Sequence, residues 1–108
     1  MRILLVDFDK NSQIQNLIPS SHVVTLEKND GGKAWKLSGE KIFELIIINC
    51  ITKPSHGLQT ARAIKKRKKT ASIPMYLVVN DSCQILDCGI PVTLIELPEI
   101  FKIGRAHV

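Results

Sequence analysis

Five short apolar runs, separated by amphipathic or turn-like segments, constrain the fold of this chain most strongly. Each run is about five residues long, which is typical of β-strands. Their regular alternation with amphipathic segments is typical of βαβ units, in which a parallel sheet is covered by helices. The pattern therefore predicts an α/β domain with strands over residues 2–6, 22–26, 45–48, 75–79 and 91–95.

The segments between these strands predict four short helices. Asp9 is expected to cap the first helix, which ends at Pro19. A turn over residues 29–32 precedes the second helix, where Trp35 falls at an apolar position and is expected in the core. We expect Gly57 to open the third helix.

The fourth helix is expected over residues 82–87, with Gly89 ending it. The run of apolar residues 45–48 is continuous, so its strand is expected in the middle of the sheet, covered on both faces. The sequence therefore predicts a layered domain with its most buried strand at the centre.

Length and composition exclude several classes of protein. At 108 residues the chain forms one domain and has no apolar run near the roughly 20 residues of a membrane span. The N-terminal apolar stretch is too short for a secretory signal, so we expect a cytoplasmic protein without a membrane partner. The three cysteines, Cys50, Cys83 and Cys88, have no CxxC spacing, which argues against disulfides and a zinc site.

The last six residues differ in character from the rest of the chain. The segment IGRAHV, residues 103–108, is similar to a translated sequencing adapter. We therefore expect residues 103–108 to be a non-native tail and the domain to cover residues 1–102. On this interpretation the natural chain continues beyond Lys102.

Functional groups in an open parallel sheet collect at the carboxyl ends of the strands. In this chain Asp7, Phe8 and Asp9 follow the first strand, and Asn49 follows the third. Val79 ends the fourth strand. After the fifth strand, Leu97 directly precedes a proline. These positions are the candidate site.

The candidate site and the strand pattern resemble the receiver domain of bacterial response regulators, over nearly all of residues 1–98. In that family an acidic pair after the first strand holds magnesium. The third strand ends in a phosphoryl-accepting aspartate, which a glycine follows by eight residues. Counting back eight residues from Gly57 gives Asn49. The resemblance implies a flavodoxin-like, doubly wound sheet of five parallel strands, cut off before its last helix.

The same resemblance implies that phosphotransfer is lost. Asn49 stands at the acceptor position, and a neutral amide is a poor nucleophile that cannot form an acyl phosphate. Phe8 replaces the second acid of the magnesium pair, so we expect no metal. Val79 replaces the family's hydroxyl, and Leu97 stands where the family has a lysine, with Glu96 as the alternative match.

These departures predict a pseudo-receiver, not an enzyme, in bacterial two-component (phosphorelay) signal transduction. It is expected to act without phosphorylation, without a cofactor and without a small-molecule substrate. Its expected partner is a protein that docks on its surface. The surviving Asp7 is expected to hydrogen-bond the backbone of its own loop.

The net charge of +5 comes largely from one run of five basic residues. At the end of the predicted third helix, such a run is favourable as a solvated face that complements the helix dipole. The alternative is a basic patch that binds nucleic acid through residues 62–69. A third interpretation is cysteine chemistry at Cys50. The basic residues are Arg62, Lys65, Lys66, Arg67, Lys68 and Lys69.

Overall fold

A single five-stranded sheet, with every strand parallel to its neighbours, organises the molecule. This computed structural model describes residues 1–80 and 89–102. The sheet order β2-β1-β3-β4-β5 is that of the doubly wound, flavodoxin-like arrangement, which confirms the predicted fold. The strands are β1 (Arg2–Val6), β2 (Val23–Glu27), β3 (Leu45–Asn49), β4 (Met75–Val79) and β5 (Thr93–Glu96).

Two strands start later than predicted because local turns hold the preceding residues. The N–H of His22 donates to the Pro19 carbonyl, so β2 begins at the next residue. The N–H of Val92 donates to the Ile90 carbonyl, and β5 begins directly after this turn. Both strands end one residue later than the sequence predicted.

Among the described residues, three α-helices and one 3-10 helix accompany the strands. They are α1 (Ile14–Leu17), α2 (Gly31–Glu40), α3 (Pro54–Lys66) and the 3-10 helix Leu97–Lys102. The described residues contain no α-helix after β5. The predicted helix over 82–87 lies outside the described residues. Gly89 has a positive φ of 68°, a conformation that glycine adopts without strain.

The starts of all three α-helices differ from the predicted starts. Asp9 does not cap α1, because its carboxylate accepts the N–H of Asn11 instead. Helix α2 begins inside the predicted turn, because the Asp30 carboxylate caps it by accepting the N–H of Gly32 at 2.7 Å. Helix α3 begins at Pro54 rather than Gly57, since proline is tolerated in a first turn.

Apolar clusters fill both faces of the sheet. All five residues of β3 are buried, which confirms the prediction of a central strand. Ile46 and Ile48 face the cluster beneath α2 and α3. Ile47 faces the opposite cluster, to which α1 contributes Ile14 and the 3-10 helix contributes Ile100. The 3-10 helix therefore covers part of the face that α1 leaves open. No helix among the described residues is long and apolar enough to cross a bilayer.

Candidate functional site

The carboxyl edge of the sheet brings together Asp7, Asp9 and Asn49, as the sequence predicted. Strands β1 and β3 are neighbours, with Val6 opposite Ile48, so the residues that follow them are adjacent. The side chains of Asp7 and Asn49 are almost fully buried, at 3% and 4% exposure. Buried polar groups need hydrogen-bond partners, so the contacts of these two side chains define the site.

Both ends of the Asn49 amide are engaged. Its Nδ2 donates to Oδ1 of Asp7 at 2.9 Å, and its Oδ1 accepts the backbone N–H of Ile51 at 2.8 Å. Oδ1 of Asp7 also accepts the N–H of Asp9 at 3.1 Å, which confirms its predicted role in its own loop. Oδ1 of Asp7 thus accepts two hydrogen bonds from the protein.

Thr52 also belongs to this network, a role that the sequence alone did not predict. Its Oγ1 donates to Oδ2 of Asp9 at 2.8 Å and lies 3.5 Å from Nδ2 of Asn49. Oδ1 of Asp9 accepts the N–H of Asn11 at 2.9 Å. The Asn11 N–H and, secondarily, the Thr52 hydroxyl lower the pKa of Asp9. A hydroxyl three residues after Asn49, in the loop that faces Asp9, was the available signal.

The donor set does not fit the magnesium ion that the resemblance implies. Mg²⁺ requires oxygen ligands in near-octahedral geometry, usually with one or two carboxylates free to coordinate it. Here both oxygens of Asp9 and Oδ1 of Asp7 accept hydrogen bonds from the protein. Across residues 1–80 and 89–102, no group of three or more histidine, cysteine, aspartate or glutamate side chains converges.

Phe8, in the second place of the expected acidic pair, contributes an apolar ring. It packs against the cluster beneath α2 and α3. Its ring meets His56 of α3 edge-on, with the ring centroids 6.3 Å apart. Phe8 therefore fastens the loop after β1 to the helical layer, and it supplies no ligand to the pocket.

Close packing against the end of β3 explains why a glycine, Gly57, stands eight residues after Asn49. A Cβ at this position would lie 2.7 Å from Sγ of Cys50 and 2.9 Å from the backbone oxygen of Asn49. Only glycine lets the first turn of α3 pass this close to the end of β3. Cys50 is fully buried in the same contact, which argues against cysteine chemistry on a substrate.

Val79 and Leu97 lie together at the carboxyl ends of β4 and β5. They line one small cavity of about 160 Å³ with Asn80, Glu96 and Pro98. The Glu96 N–H is bonded to Oε1 of Glu99 at 3.1 Å. Neither Leu97 nor its alternative match Glu96 can supply a cation to this cavity, and Val79 has no hydroxyl to donate.

The basic run lies at the opposite edge of the sheet from Asn49, because α3 returns the chain to the start of β4. The prediction of a wholly solvated run is wrong for two residues. Nζ of Lys65 donates to the carbonyls of Ala71 and Ile73, at 3.0 and 2.6 Å, and burial lowers the pKa of Lys65. Arg67 bridges to α2. The other three residues of the run, Lys66, Lys68 and Lys69, are exposed, and so is Arg62 earlier in α3.

Trp35 is not in the core, contrary to the prediction. Its side chain is 40% exposed, and the Arg67 guanidinium lies over its ring at 4.0 Å from the centroid. Nη2 of Arg67 also donates to the carbonyl of Trp35 at 2.6 Å and to Oγ of Ser38 at 2.8 Å. Ala34 is the fully buried residue of this turn, so the indole lies at the edge of the α2–α3 contact.

Comparisons with known proteins agree with this architecture. The receiver domain of sensor histidine kinase PA1611 from Pseudomonas aeruginosa PAO1, solved with magnesium in its active-site cleft, superimposes with a TM-score of 0.75 and 22% identity, over 97% of this chain and 94% of that one. Chemotaxis response regulator CheY4 of Vibrio cholerae superimposes with a TM-score of 0.72 and 14% identity, over 99% of this chain and 98% of that one. A response regulator from Desulfuromonas acetoxidans superimposes with a TM-score of 0.69 and 23% identity, over 98% of this chain and 91% of that one. No protein-family model and no curated protein matches the sequence.

Proposed function

We propose that this chain, which has the fold of response-regulator receiver domains, is a pseudo-receiver that transmits signals by docking a protein partner without being phosphorylated. The observation that carries the proposal is the hydrogen bond from Nδ2 of Asn49 to the Asp7 carboxylate. At this position a neutral donor, rather than an anionic nucleophile, faces the surviving acid.

The chemistry of acyl-phosphate formation supports the proposal. The reaction needs a carboxylate oxygen to attack phosphorus and a cation to neutralise the charge that develops. Asn49 offers no such oxygen, and its own Oδ1 accepts from Ile51. Leu97 offers no cation in the cavity that it shares with Val79. On this proposal the domain catalyses no reaction and uses no magnesium and no small-molecule substrate.

The proposal places the chain in the cytoplasm, in phosphorelay-related two-component signalling, as a domain with one fixed conformation. The Asn49–Asp7 pair and the Thr52–Asp9 pair tie the loops after β1 and β3 together. Here the partner recognises a surface that no covalent modification changes.

A titration with Mg²⁺ and then beryllofluoride, followed by amide chemical shifts, tests this proposal. We expect the amide chemical shifts of Asp7, Asn49 and Val79 to stay unchanged throughout the titration. The Asn49→Asp variant, titrated in parallel, is the matched control because it restores a carboxylate at the acceptor position. Saturable shifts at these three residues in the unmodified chain would overturn the proposal.

The nucleic-acid alternative has less support from the contacts of the basic run. Lys65 and Arg67 direct their cationic groups to carbonyls within the domain. Two of the six basic residues are therefore committed to the fold and are not available for phosphates. The alternative remains a prediction, and the DNA titration described below tests it.

A further inference from the structure

A groove of about 340 Å³ runs between α2 and α3 on the outer side of the helical layer. Gly31, Gly32 and Trp35 form one wall, and Gln59, Thr60 and Ala63 form the other. Gly31 brings the helices together, because a Cβ there would overlap the Thr60 hydroxyl. The guanidinium of Arg67 stacks on the Trp35 ring and holds it beside the groove. The groove is thus a fixed feature with a largely apolar lining.

The α3 side of this groove carries one sign of charge. Residues 51–80 contain seven of the fifteen basic residues of the chain and no aspartate or glutamate. Gln59, Ala63 and Lys66 follow one another at helical spacing along the exposed side of α3. Lys66, Lys68 and Lys69 are exposed and form no ion pair with a described residue. These three lysines therefore contribute a positive field that no described ion pair neutralises.

From this combination we infer that the α2–α3 groove docks an acidic segment of a partner protein. The segment places an apolar side chain between Trp35 and Ala63, and its carboxylates lie against Lys66, Lys68 and Lys69. An aromatic wall at the centre of a contact, with charges at its rim, is how protein interfaces divide affinity and specificity. The inference rests on the proposed function, since it names the docking surface and the chemistry of the partner.

A nucleic acid fits this surface less well than an acidic protein segment. The residues outside 51–80 include eight basic and ten acidic side chains, so a long polyanion meets net negative charge beyond the patch. One face of the Trp35 ring is covered by Arg67, which limits base stacking. An apolar groove offers nothing to a sugar–phosphate backbone.

Trp35 makes the test direct, because it is the only tryptophan of the chain and lines the groove. The intrinsic fluorescence of the full chain is titrated with a synthetic peptide carrying glutamates and leucines at helical spacing. The control peptide has lysine in place of each glutamate. We expect a saturable change with the acidic peptide only, and an affinity that falls as NaCl screens the charges.

Charge-reversal variants locate the binding surface. The double variant Lys66→Glu, Lys69→Glu is expected to weaken peptide binding about tenfold or more, through repulsion at the rim of the groove. The double variant Lys10→Glu, Lys41→Glu changes the net charge equally at exposed positions elsewhere and is expected to bind as the parent does. Equal weakening by both variants, or no saturable change in the parent, overturns the inference.

Two further measurements test whether the groove binds nucleic acid or a second copy of the chain instead. Tighter binding of a DNA oligonucleotide than of the acidic peptide, lost in the Lys66, Lys69 variant, would assign the surface to nucleic acid. A Trp35 signal that changes with protein concentration alone would assign it to a second copy of the chain. Either result overturns the inference. A response of Asp7 and Asn49 to beryllofluoride would instead overturn the proposed function, whatever Trp35 reports.

Discussion

Nδ2 of Asn49 lies 2.9 Å from Oδ1 of Asp7 and donates a hydrogen bond to it, and both side chains are almost fully buried. The pair joins residues that are 42 positions apart in the chain. A buried carboxylate is costly unless donors surround it, so the Asn49 amide stabilises the charge of Asp7.

Asn49→Asp is expected to destabilise the domain by about 2 kcal/mol at neutral pH without metal, because it sets two buried carboxylates against each other and removes a donor. Thermal and denaturant unfolding measure this loss. Added Mg²⁺ is expected to recover part of it, since a divalent cation relieves the repulsion. Gln15→Glu, an equal charge change at an exposed position of α1, is the control and is expected to be neutral. An Asn49→Asp variant as stable as the parent would contradict the role given to the amide.

Thr52→Val is expected to raise the pKa of Asp9 toward its ordinary value, because the variant removes one of its two donors. The Asn11 N–H, which contributes most to the lowered pKa, remains. A depressed carboxyl pKa stabilises the fold above the unfolded pKa, and the contribution is lost as pH falls through the folded pKa. The stability difference between variant and parent is therefore expected at neutral pH and should vanish in acid.

Carboxyl titration by NMR, together with unfolding at several pH values, measures the effect of Thr52→Val. Thr93→Val, at an exposed position in β5, provides the matched loss of a hydroxyl. An Asp9 pKa that is the same in parent and Thr52→Val would remove Thr52 from the site.

Gly57→Ala is expected to cost about 2 kcal/mol of stability, because the new Cβ would meet Sγ of Cys50 and the backbone oxygen of Asn49. The backbone oxygen cannot turn away as a flexible side chain could. Urea unfolding of this variant is compared with that of Ser55→Ala, an exposed change in the same helix that is expected to be neutral. Similar stabilities for the two variants would mean that α3 can shift away from β3 at little cost.

Arg67→Met is expected to lower stability by about 1–2 kcal/mol, since it removes two hydrogen bonds to α2 and the stacking on Trp35. The fluorescence of Trp35 should change at the same time. Lys68→Met, the neighbouring exposed cation, serves as the control for loss of charge. If both methionine variants unfold alike, Arg67 is a surface residue and the α2–α3 link lies elsewhere.

The sequence predicted the sheet well because strand patterns are local. Strands β1 and β4 have the predicted bounds, and β3 differs by one residue at its end. The site positions Asp7 and Asn49 were also predictable, since parallel strands place the residues that follow them at one edge. Helix starts were less predictable. Asp30 and Asp9 are both suitable caps by residue type, and only the path of each loop decides which one reaches an N–H in the first turn of a helix.

Contacts between distant segments could not be read from the sequence. Arg67 and Trp35 are 32 positions apart, and no local pattern indicates that one stacks on the other. The expectation of a core tryptophan followed from its helical spacing, which says which face a residue occupies but not how far the neighbouring helix covers that face. For the same reason, the hydrogen bond from Thr52 to Asp9 could not be predicted from the sequence.

The two contacts of the Asn49 side chain also fix which way round its amide lies. Exchanging the oxygen and the nitrogen would set Oδ1 against the Asp7 carboxylate and Nδ2 against the Ile51 N–H. Two acceptors would then face each other at one end of the amide and two donors at the other. The reversed rotamer is therefore disfavoured twice over. One Nδ2 proton is directed at Oδ1 of Asp7, so the NMR signal of that proton provides an internal gauge of the pocket that needs no ligand or mutation.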